Sequence, residues 1–387
     1  MLAGDVEIST VTRGDKLTGG AAGEVFPIVL TYSGGAGSGS EPSSESAPDK
    51  GGAGAPASLI VKATSADGLT HCAREPAFVR LFSADRDFGM VRCVWAGGSD
   101  AEGNVLVMED LRGVATRCDQ YLGGQGGESL QEAEGQQPEL DRMPSMSPEL
   151  MWRRAFEAAA ETHARYWGGA ALRADGARKA MLKGADWLEG SNRAGWESSI
   201  NTIRRAWRLA DTGCMTERAR SFIARSLDEA TFDGAVAAMN ARNVTLCHGD
   251  FHAKNLFWHH ERGALVSTDF SEVGLADPMS DLCQFILSDV DADTRRAHER
   301  SVLRAYWDRL VACGVDATAF SWETCWAQYR SGIDRWLWFI PVLLLWKYRP
   351  QYFADQIDAW LSDHEPRAFV PMRWCVDVRD SLVPAEP

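Results

Sequence analysis

The chain has 387 residues, 45% of them hydrophobic, which supplies apolar material for two lobes and excludes a disordered protein. Its 54 acidic against 40 basic side chains leave a formal charge of -14, which repels a phosphate backbone and argues against nucleic acid as a partner. Nine cysteines, odd in number, widely spaced and without a C-x-x-C pair, read as reduced thiols of a cytoplasmic protein rather than a disulfide framework or a zinc site.

Along the chain, Met1 to Thr10 lacks a basic segment followed by an apolar stretch, so no signal peptide is expected. Glu24 to Leu30 and Leu59 to Ala63 are short runs rich in β-branched residues and predict strands. Between them, Ser33 to Ser58 is built of Gly, Ser, Ala and Pro without a large apolar side chain, and predicts a mobile insertion. His71 to Ser83 places Phe78, Leu81 and Phe82 at helical spacing, while Val91 to Ala96 and Val105 to Met108 again read as strands. Leu122 to Ser147 is polar and Gly/Gln/Glu-rich, a second loosely ordered stretch. After Pro148 the pattern is mainly helical, interrupted by one strand–loop–strand island from Val244 to Thr268. The apolar run Trp336 to Trp346 is too short to span a bilayer and contains Pro341, so it predicts a buried helix and no membrane partner. The class is α+β, with a small β-rich lobe over residues 1–110 and a larger, mostly helical lobe over residues 111–387.

Chemistry concentrates in that island. Between the apolar runs Val244 to Cys247 and Leu256 to Trp258 lies His248-Gly249-Asp250-Phe251-His252-Ala253-Lys254-Asn255, a polar loop on what reads as a rigid mount. Phosphoryl transfer needs a carboxylate near the acceptor hydroxyl and an amide oxygen beside it for Mg²⁺; Asp250 and Asn255 offer the pair. Asp269 ends the next apolar run, Leu265 to Ser267, and suits a hard oxygen ligand for the same ion. Alternating His248, Asp250 and His252 could instead bind zinc, but Asn255 would then go unused and no further histidine cluster follows. His252 either offsets charge at the transferred phosphate or caps the loop.

H-G-D-F-H-x-x-N, then Ser267-Thr268-Asp269-Phe270-Ser271, then Asp277-Pro278-Met279-Ser280-Asp281-Leu282, resembles the aminoglycoside phosphotransferase, choline kinase and ecdysteroid-kinase-like group. The resemblance implies the bilobal protein-kinase-like fold, with the first lobe binding nucleotide and the second carrying catalysis and the acceptor. It implies Asp250 as catalytic base, Asn255 and Asp269 as Mg²⁺ ligands, His248 as a structural loop residue and Asp281 as a brace for the loop. Lys62 is similar to the strand lysine that holds ATP phosphates, Glu75 to the helix glutamate that pairs with it, and Glu109 to Leu111 to the hinge whose backbone meets adenine. Thr162 to Trp167 resembles the L-H-A-x-Y-W helix of these kinases. Gly19, Gly20 and Gly23 stand where a phosphate-covering hairpin is expected, without the G-x-G-x-x-G of protein kinases.

The activity these readings imply is transfer of the ATP γ-phosphoryl group to a hydroxyl of a small molecule. A catalytically silent nucleotide-binding or scaffold protein is the alternative, although such proteins usually lack the base or a metal ligand, and both are here. A protein acceptor is disfavoured, since there is no A-P-E segment and Ser271 to Leu282 is too short for an activation loop. Trp322, Trp326, Trp336, Trp338 and Trp346 either line the acceptor pocket or belong to the core.

Overall fold

A computed structural model of the chain describes residues 7–17, 24–33, 58–64, 73–82, 89–99, 103–122, 146–364 and 383–384. The chain folds as two compact units: Met1–Val79 with Val91–Leu111, and Arg80–Met90 with Arg112–Pro387. The two stretches expected to be loosely ordered, about 33–58 and 122–147, lie almost wholly outside the described residues.

The first unit is an antiparallel five-stranded sheet in the order β1-β2-β3-β5-β4. Its strands are β1 (Glu7–Arg13), β2 (Glu24–Ser33), β3 (Ser58–Thr64), β4 (Cys93–Ser99) and β5 (Gly103–Glu109). Side chains alternate across a pleated strand, so Leu59 and Val61 of β3 are buried while Lys62 falls on the other face. On β5, Leu106 and Met108 are buried in the same alternating way. Helix α1 (Arg74–Phe82) buries Phe78, Val79 and Phe82 together with the carboxylate of Glu75. Strand β1 has no counterpart among the expected strands, because five of its seven residues are polar or charged and its Ile8 and Val11 face solvent.

The second unit is mostly helical: α2 (Pro148–Arg165), α3 (Ala170–Ala174), α4 (Gly176–Met181), α5 (Ala185–Leu188), α6 (Arg193–Leu209), α7 (Glu217–Glu229) and α8 (Phe232–Asn240) precede the island. After it come α9 (Met279–Asp289), α10 (Ala292–Ala312), α11 (Trp322–Arg330), α12 (Asp334–Leu345) and α13 (Pro350–His364). Helix starts follow side-chain capping: Ser147 accepts from Leu150 N with Pro148 next to it, and Asp291 accepts from Asp293 N and Thr294 N. Helices α2 and α10 pack through Phe156 and Tyr306, whose ring centroids lie 6.3 Å apart. In α12, Ile340, Val342, Leu343 and Leu344 are buried despite Pro341 inside the helix. Among the described residues, no helix is long and apolar enough to cross a membrane. The β-rich first unit and the mostly helical second unit, in this element order, are the α+β organisation expected from the sequence.

The island has its expected strand–loop–strand form, with a pairing the sequence left open. The strands that flank the polar loop, β7 (Thr245–Cys247) and β8 (Leu256–His259), do not share a sheet. β7 pairs with β10 (Gly274–Ala276), whereas β8 lies between β6 (Ala115–Arg117) and β9 (Ala264–Ser267). Three-residue strands such as β6 and β10 are too short to leave a period in the sequence. The polar loop therefore bridges two small sheets.

Candidate active site

The loop leaves β7 at Cys247 and enters β8 through a 3-10 turn, Ala253–Asn255. Helix α9 holds it. Every residue of α9 from Met279 to Leu287 is buried, so each polar side chain among them needs a partner. Asp281 accepts from His248 N at 2.7 Å and Gly249 N at 3.0 Å. Gln284 accepts from Phe251 N at 3.2 Å, and Asp289, at the end of the helix, accepts from Ala253 N at 2.8 Å. Four loop amides thus terminate on side chains of one helix. The bracing role implied for Asp281 has this geometry behind it.

Gly249 is required by its backbone. Its φ is +85°, and a Cβ there would lie 1.8 Å from the carbonyl oxygen of Glu272. His248 has both ring nitrogens committed: Nε2 donates to Thr268 O at 2.9 Å, and Nδ1 accepts from Asp250 N at 3.2 Å. Burial pushes its pKa down, against the opposing carboxylates of Asp281, Asp250 and Asp269, so the ring is neutral and structural. A histidine with no spare nitrogen cannot join a zinc set with Asp250 and His252. Asp281 in turn accepts from His163 Nε2 at 3.3 Å, and His163 Nδ1 meets the Tyr306 hydroxyl at 2.9 Å. Cys247 places its thiol near this pair, with donor atoms of His163, Cys247 and Asp281 within 4.8 Å of one another. That thiol faces the carbonyls of Ala276 and Asp277, so the cluster is a satisfied core network.

Asp250 and Asn255 come together. Asn255 Nδ2 donates to Asp250 O at 3.0 Å and to Asp250 Oδ2 at 3.1 Å. Since acceptors surround the nitrogen, the amide orientation follows, and Oδ1 is left as the oxygen able to ligate a hard cation. The backbone carbonyl of Asn255 accepts from Thr268 N at 2.9 Å, which ties the loop to the residue preceding Asp269. Asp269 has φ +62°, a conformation Asp tolerates better than most residues, and its Oδ1 accepts from Ser271 Oγ at 2.8 Å. An amide oxygen and a carboxylate on neighbouring segments are the donor chemistry that Mg²⁺ takes, so the residues fit the ion.

His252 Nε2 lies 3.4 Å from Asp250 Oδ2. Burial opposes its charge, but Asp250, Asp289 and Asp269 outweigh that and raise the ring to about 9. Protonation forfeits the 3.3 Å bond from Lys254 N to Nδ1, one long contact against three carboxylates. Burial also pushes Asp289 up, although His252 and the Ala253 and Ser288 donors pull the other way.

In the first unit, Lys62 Nζ donates to Glu75 Oε2 at 2.7 Å, with side chains only 12% and 8% exposed. Glu109 accepts from Arg92 N at 2.9 Å, and Asp110 from Ser58 Oγ at 2.6 Å, while Leu111 is buried. Those side chains are bonded within their own unit, and Glu109 N donates to Arg92 O at 2.9 Å. Gly19, Gly20 and Gly23 lie outside the described residues. Trp322 and Trp326 stack on each other at 6.1 Å with the guanidinium of Arg300 over both rings, half-buried on α11. Trp346 is exposed, and nothing is described for the side chains of Trp336 and Trp338.

Gln284 and Asp289 escaped the sequence reading. Their signal was present: Asp281, Gln284, Ser288 and Asp289 stand at i, i+3, i+7 and i+8, a polar stripe along a mostly apolar helix.

Residues 185–317 match the model of the ecdysteroid kinase-like family, so the group resemblance read from the motifs is met over that stretch, which contains the loop, Asp269 and α9. Among solved structures, the chain is similar to a choline kinase from Streptococcus pneumoniae at 13% identity, covering 93% of this chain and 94% of that one with a TM-score of 0.47. It is also similar to a choline kinase from Cryptosporidium parvum (8% identity, 92% and 87% covered, TM-score 0.49). A choline/ethanolamine kinase family protein from Mesorhizobium loti stands at 14% identity, 80% and 84% covered, with a TM-score of 0.45. Likeness that remote carries nothing about chemistry. No curated protein matches the chain.

Proposed function

We propose that the chain is a phosphotransferase that moves the γ-phosphoryl group of ATP to a hydroxyl of a small molecule. The observation that carries the reading is the amide of Asn255, whose N–H groups are spent on Asp250 while its chain is bonded to Thr268 beside Asp269. The loop thereby supplies a carboxylate for an acceptor alcohol and, together with Asp269 of the neighbouring segment, two oxygen donors for a divalent ion.

In this reading Asp250 orients the acceptor hydroxyl and accepts its proton as the oxygen attacks phosphorus and the bond to the ADP leaving group breaks. Asn255 Oδ1 and Asp269 would hold Mg²⁺, which when bound neutralises phosphate charge. His252, carrying its proton at neutral pH, contributes a positive charge at the loop. Within the first unit, Lys62, fixed by Glu75, is assigned to nucleotide phosphate oxygens, and the backbone of Glu109 to Leu111 to the adenine edge. Positioning and charge stabilisation supply most of the acceleration, since the transition state is loose.

The test is transfer of label from γ-labelled ATP to a panel of amino alcohols, sugars, amino sugars and sterol-like alcohols, with ADP release read in parallel. Asp250→Asn should lower turnover by roughly 100-fold or more while ATP affinity stays within about threefold. Equal turnover in variant and parent removes the base assignment. A parent that binds ATP without ever releasing ADP is the silent nucleotide-binding protein instead.

A further inference from the structure

We propose that Gln284 is a positioning residue for the Asp250 carboxylate, a role that rests on the assignment of Asp250 as the base. Gln284 Nε2 donates to Asp250 Oδ1 at 2.6 Å, across 34 residues of sequence. Its Oε1 accepts from Phe251 N at 3.2 Å. This second bond settles which end of the amide is which, because a backbone N–H can be met only by the oxygen. The nitrogen therefore faces the carboxylate.

Gln284 is 6% exposed, on a helix whose neighbouring side chains are all buried. An amide held at both ends in a packed core does not wander among rotamers. Asp250, by contrast, is a short side chain whose terminal torsion is intrinsically broad and two-fold. Gln284 fixes one carboxylate oxygen and Asn255 Nδ2 the other, at 3.1 Å, so the two amides together set the plane of the group. A neutral amide orients the group without adding, as a lysine or arginine in the same place would, a further positive charge beside a base that already has the His252 ring 3.4 Å from Oδ2. A purely structural role for Gln284 accounts for the bond to Phe251 but not for the shorter one to Asp250. In a near-attack geometry, a misdirected acceptor oxygen costs rate without costing nucleotide affinity.

The two bonds can be separated by substitution. Gln284→Glu keeps the shape and an oxygen for Phe251 N–H, but turns an oxygen toward Asp250; Gln284→Met removes both bonds. The full-length chain is assayed with Mg²⁺ and ATP and water as acceptor, by ADP release at pH 8.5, alongside Asp250→Asn. Amide hydrogen exchange over residues 248–253 reports the loop itself. Gln284→Glu should lower kcat by roughly 10- to 100-fold, with KM for ATP within about twofold and loop protection equal to the parent's. If Gln284→Glu keeps kcat within about threefold, the positioning role is wrong. It is equally wrong if kcat falls only in step with lost protection of the loop in both variants, since Gln284 is then a structural support. If Asp250→Asn releases ADP as fast as the parent, the functional reading itself falls, and Gln284 has no base to position.

Discussion

Gly249→Ala tests whether the loop has any room to move. An added Cβ would stand 1.8 Å from Glu272 O, 2.4 Å from Glu272 C and 3.0 Å from Glu272 Cβ. Cβ atoms essentially never approach within 3.0 Å, so one of the two backbones must retreat by at least 1.2 Å, the difference between 3.0 and 1.8. Glu272 cannot retreat freely: its carboxylate is paired with the buried Lys183, and Val273 O accepts from Lys183 N at 3.2 Å. If the loop retreats instead, it loses the bonds from His248 N and Gly249 N to Asp281, at 2.7 and 3.0 Å. The left-handed conformation, at φ +85°, costs a further ~1–2 kcal/mol for an alanine. Two strained or broken bonds at ~1 kcal/mol each bring the total to about 3–4 kcal/mol. At roughly 2–4 °C per kcal/mol for a unit of this size, the midpoint should fall by about 6 °C or more, read by tryptophan fluorescence. ADP release should fall along with it, because Asp250 follows Gly249. A variant that melts within about 2 °C of the parent and keeps its turnover would show that Gly249 and Glu272 are not packed as described.

Two other perturbations bear on the same unit. Asp269→Asn keeps the shape of the side chain but removes a charge from the cation site, so the Mg²⁺ concentration for half-maximal ADP release should rise at least roughly tenfold; an unchanged requirement would take Asp269 out of the ligand set. Arg295→Met leaves Glu299, Asp363 and His364 without the fully buried guanidinium they share, at a cost of about 3–5 kcal/mol in a thermal or urea melt. Burial tends to raise the carboxyls of Glu299 and Asp363, but their partners, His364 and Arg295 for one and Arg295 and Arg296 for the other, hold both below their ordinary values. A depressed folded pKa gives stability that is complete above the ordinary carboxylate range and is lost as pH falls through the folded value. The parent should therefore weaken on acidification below about pH 4.5, and Arg295→Met should show a flatter decline over the same window. An equal acid slope in both proteins would separate the two carboxyls from Arg295.

How much of this could be read from the sequence depended on the distance over which each feature is determined. Asp250 and Asn255 were legible because their spacing of five is local, and the same loop bonds the two together. Lys62 and Glu75 are thirteen residues apart on a strand and the helix that follows it, and their ion pair is as the resemblance implied. The expected rigid mount was legible as two flanking apolar runs, but not which strands they pair with. Pairing is decided by β6 and β10, each three residues long and carrying no period of its own. Gly249 was visible as a glycine in a motif; its necessity is set by Glu272 O, which only the folded chain brings beside it.

Helix α9 shows why the remainder stayed hidden. Its run Met279-Ser280-Asp281-Leu282-Cys283-Gln284-Phe285-Ile286-Leu287 reads as an ordinary core helix, and by burial it is one. A polar group can stay in such a helix at low cost only where it meets a partner, and the partners here are backbone amides of a loop more than thirty residues earlier. The loop, for its part, cannot satisfy those amides within its own backbone, since its residues run between strands of two different sheets. Each element removes the other's unpaired groups. Such mutual dependence means that a change on α9 acts on the loop without touching a ligand, and that the geometry of Asp250 is set by Gln284 outside its motif as well as by Asn255 within it.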